Sequence, residues 1–194
     1  MAANLKSAQH HYYNLEEYFA LERVGEARYE YWDGEIVCMS GGSERHYRIS
    51  DNLHLTLARL VEGRNCRAYS SGAPIHTPSL PPYRYPDASV VCRESVFINI
   101  NGIDVSTNPA IIVEVLSPGT EQLDKEAKRE AYQKIASAKE YLIVAQDAPH
   151  VTYYRRRGRR WVRTDCGDLQ AAVELNSIGQ QLLLSDIYQG IIFS

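Results

Sequence analysis

No stretch of this sequence stays apolar for the ~20 residues that a membrane-spanning helix needs, so a membrane-embedded class is set aside. Cysteine is scarce and scattered. Cys38, Cys66, Cys92 and Cys166 form no C-x-x-C pair, which argues against a zinc site and, in a reducing compartment, against disulfides. Four free thiols, mostly buried, are the expectation. Charge of either sign is not in excess: 21 Lys and Arg stand against 24 Asp and Glu, a formal net charge of −3. Nothing in that balance attracts nucleic acid, so any such binding must come from a local patch. The opening "MAANLKSAQHHYYNLEEY" has no basic segment followed by an apolar one and no small-residue cleavage site, and a cytoplasmic location is expected. Internal repeats and low-complexity segments are also lacking.

What is present is an ordinary globular composition, 44% hydrophobic and 23% charged over 194 residues. One core can support that length, burying roughly 70% of the unfolded surface. The expected organisation is a flexible segment over residues 1–13 followed by one domain over 14–194. Asn14 and Glu17 in "NLEEYFALE" have capping-box spacing and open a short helix. Asp33-Gly34 in "ARYEYWDGEIVCMS" predicts a tight hairpin. Ile49, Leu53, Leu57 and Leu60 recur at helical spacing after Ser43, predicting a helix from about Ser43 to Glu62. Short strands follow, the most consequential being Asp87 to Cys92, and Val96 to Asn108 reads as a linker. An apolar strand Ala110 to Leu116, a helix from about Glu121 to Ala136 and the apolar strand in "KEYLIVAQD" then make a strand–helix–strand crossover, which pairs parallel strands. A hairpin turning near Gly158 comes next, and a closing strand and short helix end the chain.

One residue breaks the apolar strand "PAIIVEVL". Glu114 places a carboxylate where an unpaired charge costs several kcal/mol, so a cationic partner, a metal ion or a shifted pKa is required. Asp87 begins the preceding long strand. Two acids on neighbouring strands can converge on one Mg²⁺ or Mn²⁺, since such ions take hard oxygen ligands and commonly only one or two protein carboxylates. That arrangement suits phosphodiester hydrolysis. Each acid also has a plainer reading, Asp87 as a turn residue and Glu114 as half of a buried ion pair. Asp124, Lys128 and Tyr132 follow at i, i+4 and i+8 on one helical face. They make either a solvated Asp–Lys pair beside a tyrosine, or a lysine aimed at the carboxylates with Tyr132 in support. The "YYRRRGRRW" hairpin sets Arg155, Arg156, Arg157, Arg159 and Arg160 among aromatics, a candidate phosphate-binding patch or a solubilising turn.

The segments "RYEYWDGEIVCMSGGSERH", "YPDASVV", "PAIIVEVLSPGT", "DKEAKREAY" and "KEYLIV" occur in an order and spacing that resemble the Uma-two family, a restriction-endonuclease-like branch of the PD-(D/E)XK nuclease superfamily. The resemblance covers the chain from about Asn14 onward. It implies an α/β fold with a restriction-endonuclease-like core, a mixed central β-sheet flanked by helices, and additional β-hairpins. It makes Asp87 the aspartate of the "PD" element and Glu114 the acid of the second element. The superfamily lysine two residues later is absent, because position 116 is Leu. Lys128 is the implied substitute and Lys125 a second candidate on another helical face. His46 matches a family histidine that would bond a water or phosphate, and Glu30 matches a family glutamate. The implied function is Mg²⁺- or Mn²⁺-dependent hydrolysis of DNA by a homodimer. The alternative is an inactive nuclease-fold module that binds nucleic acid or dimerises.

Overall fold

The computed structural model describes residues 11–25, 27–39, 41–79, 81–117 and 124–193. The chain divides into two compact units, residues 1–41 and 42–194. In the first, Asn14 and Glu17 exchange backbone and side-chain hydrogen bonds as a capping box at the start of α1 (Leu15–Val24). Strands β1 (Tyr29–Trp32) and β2 (Glu35–Cys38) pair antiparallel. Asp33 and Gly34 between them both have positive φ, 49° and 96°, as a type I′ turn requires.

In the second unit α2 (Glu44–Leu60) starts at Ser43, whose hydroxyl accepts the His46 N–H. The strands are β3 (Cys66–Ser70), β4 (Ile75–His76), β5 (Tyr83–Arg84), β6 (Ala88–Cys92), β7 (Phe97–Ile100), β8 (Ile103–Ser106), β9 (Pro109–Val115), β10 (Glu140–Val144), β11 (Val151–Arg157), β12 (Arg160–Cys166), β13 (Ala172–Leu175) and β14 (Gln180–Leu183). A π-helical turn (Asp124–Lys128) runs directly into α3 (Arg129–Gln133), and α4 (Leu184–Ile187) follows β14. Six strands form the main sheet in the order β12-β11-β10-β9-β6-β3. β9 and β10 pair parallel across the crossover that contains α3, while the other pairs are antiparallel, so the sheet is mixed.

Strand alternation decides what each face of this sheet carries. Ile111, Val113 and Val115 of β9 share a core cluster with Ile49, Leu53 and Leu57 of α2, and with residues of β13, β14 and α4. Ile112 shares a second cluster with Tyr132, Ile135, Tyr141, Ile143 and Tyr154. One long helix therefore covers one face and the short α3 segment the other. Glu114, two residues from Ile112, belongs to the α3 face.

Two expectations are corrected. Val96 to Asn108 is not a linker but the β7–β8 hairpin, turning at Asn101-Gly102 with φ of 50° and 92°. Its Asn-Gly pair is the same kind of signal as Asp33-Gly34. The thiols are not all free and buried: Cys66 and Cys92 lie directly opposite across β3 and β6 and are joined in a disulfide, and Cys38 is exposed. A separation of 26 residues hid a pairing that strand register creates.

Candidate active site

Glu114 sits on β9, inside the sheet between β6 and β10, with 2% of its surface exposed. A carboxylate so enclosed needs partners, and the helical segment of the crossover brings them. The Tyr132 hydroxyl donates to Glu114 Oε1 at 2.6 Å, and Lys128 Nζ stands 3.2 Å from the same oxygen. Lys128 is 1% exposed. The hydroxyl and the ammonium come from residues four apart, on one helical face, with Lys128 closing the π-helical turn and Tyr132 within α3. Leu116 takes the next position on Glu114's side of the strand and packs, half-buried, against the Ile112 and Tyr132 cluster. An ammonium from the helix thus stands at the carboxylate, while the strand position two residues on is apolar.

Asp87 immediately precedes β6. Because Ala88 pairs with Val113 in antiparallel register, Asp87 comes level with Glu114 on the neighbouring strand. Its Oδ2 accepts the Val115 N–H at 2.7 Å. Its Oδ1 lies 3.1 Å from His46 Nε2 and accepts a longer bond from the Ser50 hydroxyl at 3.4 Å. His46 and Ser50 lie one turn apart in α2, so one helix grips Asp87 and another grips Glu114.

Gln146, just past β10, was not singled out in the sequence. Its Oε1 accepts the Ser43 hydroxyl at 2.7 Å, its Nε2 donates to the Leu116 carbonyl, and the same Nε2 lies 3.4 Å from His46 Nδ1. With the amide donating into Nδ1, the neutral imidazole carries its proton on Nε2, facing Asp87. The only trace in sequence is a polar residue where an apolar strand ends, which marks a strand end anywhere.

The remaining candidates lie on several different elements. Glu30 lies on β1 of the first unit, buried and paired in register with Val37. Asp124 begins the π-helical turn, and its side chain lies outside the described residues. Lys125 lies on an exposed part of that turn. Arg157, Arg159 and Arg160 are exposed around the β11–β12 turn and Arg155 is half-buried. Arg156 does something different: its Nη2 donates to the Gln133 and Ile135 carbonyls at 2.6 and 2.8 Å, and its guanidinium lies 4.8 Å from the Trp161 ring centre. It caps the C-terminal end of α3 and thereby supports the segment that carries Lys128 and Tyr132.

Among the described residues no group of three or more His, Cys, Asp or Glu is arranged to hold a metal ion. Two carboxylates level with each other on adjacent strands are nonetheless the donor set that Mg²⁺ commonly takes from a protein, with water and phosphate completing its shell. Asp87 is held from α2 and Glu114 from the crossover helix, and by their chemistry the two carboxylates match such an ion.

Residues 15–185 match the family model described as "Uma2: Putative restriction endonuclease". The chain is 31% identical to the uncharacterized protein slr1290 of Synechocystis sp., over the full length of both. It is 30% identical to the uncharacterized protein sll1609 of the same organism, over 82% of this chain and 90% of that one. Its fold is similar to the crystal structure of a putative nuclease belonging to DUF820 from Anabaena variabilis, with a TM-score of 0.66 and 19% identity, over 84% of this chain and 90% of that one.

Proposed function

Because the chain belongs to the Uma2 family of restriction-endonuclease-like proteins, we propose that it is a divalent-metal-dependent endonuclease that hydrolyses DNA phosphodiester bonds. The observation that carries this reading is Asp87, at the entrance to β6, level with Glu114 on the neighbouring β9, with the Lys128 ammonium 3.2 Å from Glu114. Asp87 and Glu114 would hold Mg²⁺ or Mn²⁺, which supplies Lewis-acid charge to the phosphate and the attacking water. Lys128 adds a fixed positive charge where negative charge grows on the phosphate oxygens, in a site that water barely enters. Tyr132 holds the Glu114 carboxylate in place. His46 presents a ring proton to Asp87 and keeps that carboxylate oriented, and Gln146 holds the ring. Family membership and the nuclease-like fold support DNA as the substrate class. A homodimer in the cytoplasm is part of the same proposal.

One observation favours a second reading. Lys128 and Glu114 are already paired in the interior, and Leu116 stands where the superfamily has its lysine. A nuclease-fold module that binds nucleic acid, or dimerises, without cutting would have this geometry too. Incubation of supercoiled plasmid with the protein and Mg²⁺, Mn²⁺ or EDTA separates the two. Nicking that EDTA arrests is the expected result. Binding without nicking in either metal would replace the nuclease reading with the second one.

A further inference from the structure

Beside the site, on the same face of the sheet, lies a cleft of about 440 Å³ between the start of the helical segment and strands β10 to β12. Its volume falls within the roughly 300–1,000 Å³ of small-ligand sites. Lys125 and Arg129 line it from the helix, Arg163 from β12, and Ile143, Thr152 and Tyr154 from the sheet. The position follows from register. Glu114 pairs with Ile143, Ile143 with Thr152 and Thr152 with Asp165, one row crossing four strands. At the usual spacing between strands of about 4.8 Å, the cleft floor at Thr152 lies roughly 10 Å from Glu114 along that row.

The cations here are pre-positioned. Asp165 accepts the Arg163 Nε and Nη2 hydrogens at 2.8 and 2.9 Å, and also accepts the Thr152 hydroxyl at 2.8 Å. Two of the five guanidinium hydrogens are thereby used, and the fork is fixed at the cleft with the others available to a ligand. Arg129 lies 5.6 Å over the Tyr154 ring and donates to the Tyr154 hydroxyl at 3.4 Å, which steers its planar head from the other wall. Two oriented guanidinium groups facing one cleft match the geometry of a phosphate, whose oxygens accept paired N–H donors. Glu126 and Glu130 also line the cleft. They oppose an anion and serve as an internal control of opposite sign.

We propose that this cleft binds a backbone phosphate of a nucleic-acid strand, flanking the phosphate at Asp87 and Glu114, with Arg129 and Arg163 as its forks. The identity of the ligand rests on the nuclease reading, whereas the site rests on the cleft itself. The test is binding of a fluorescently labelled single-stranded oligonucleotide by anisotropy, in EDTA and across a salt series. For the Arg129→Gln, Arg163→Gln double variant the expected result is affinity about tenfold weaker at 0.1 M salt, and a log K against log salt slope shallower by about 0.7 for the one phosphate lost. Arg129→Lys, Arg163→Lys should keep most of the slope, and Glu126→Gln, Glu130→Gln should bind more tightly than the parent. Inorganic phosphate should compete only at concentrations far above that of the oligonucleotide. Unchanged affinity and slope in the double Gln variant would overturn the proposal, and so would a parent that binds no oligonucleotide. Competition by inorganic phosphate at equal concentration would overturn the assignment to a strand. Plasmid cleavage is scored separately, so an Asp87→Asn protein that binds the oligonucleotide as the parent does but cuts nothing leaves the cleft and the nuclease reading independently decided.

Discussion

Lys128 Nζ and Glu114 Oε1 lie 3.2 Å apart with both side chains buried, so removing either charge takes a buried ion-pair partner from the other. Lys128→Met should destabilise the fold by about 3–5 kcal/mol, the usual cost of leaving one buried partner uncompensated. Adding Glu114→Gln should recover much of that loss, because the double variant buries no net charge. Urea denaturation of the parent, both single variants and the double variant gives the coupling directly. Additive losses would mean that the two groups do not depend on each other.

Asp87→Asn and Glu114→Gln should each weaken Mn²⁺ binding by calorimetric titration. Asp87→Asn keeps an oxygen for the Val115 N–H, so its fold should persist. Asp87→Asn also removes one of two neighbouring negative charges, which lessens their mutual repulsion. Unchanged Mn²⁺ affinity in both variants would remove the metal from the proposal.

Much of the site could be read in the sequence because local rules govern it. Glu114 stands out as a charge in an apolar strand, and the spacing of Lys128 to Tyr132 survives the helix they share. The Lys128 contact needed two facts that no local pattern carries: that α3 covers the Glu114 face, and that the segment opens with a π-helical turn. Gln146 was illegible for the same reason, since all its partners are 30 or more residues away in sequence. The disulfide depended on register between β3 and β6. The β7–β8 hairpin was different, because its Asn-Gly signal was present and the short strands around it, β7 mostly exposed and β8 buried only at Val105 and Ser106, read as a linker.

The arginine hairpin should divide into two functions. Arg157→Ser, Arg159→Ser and Arg160→Ser together should weaken binding to any DNA sequence and flatten its salt dependence with little effect on melting temperature. Arg156→Ser should instead lower the melting temperature, since it loses two carbonyl acceptors at the end of α3 and the stack on Trp161. Anisotropy and thermal melts on both variants check the division. An unaltered salt slope in the triple variant would assign that turn to solubility.

Asp165 links folding to pH. The bonds from Arg163 hold its carboxyl down at about 2, below the ordinary aspartate value. A depressed folded-state pKa contributes stability that is present above the unfolded value of about 3.9 and disappears as pH falls through about 2. The side chain is 38% exposed, so solvent screening should hold the contribution to about 1 kcal/mol or less. Asp165→Asn should therefore be less stable than the parent at pH 6 and equal to it near pH 2 in urea titrations. A difference that grows toward acid would reverse the assignment.

The most direct measurement is the rate at which the Glu114→Gln, Lys128→Met double variant nicks supercoiled plasmid, beside the parent, in Mg²⁺ and in Mn²⁺. This variant removes both members of the ion pair together, and its fold is checked by circular dichroism and thermal melting before rates are compared. The expected result is a rate at least about a hundredfold below the parent, the usual scale for loss of a preorganised charge at a reacting phosphate. A folded double variant that nicks as fast as the parent would contradict the claim that Glu114 and Lys128 form the catalytic centre.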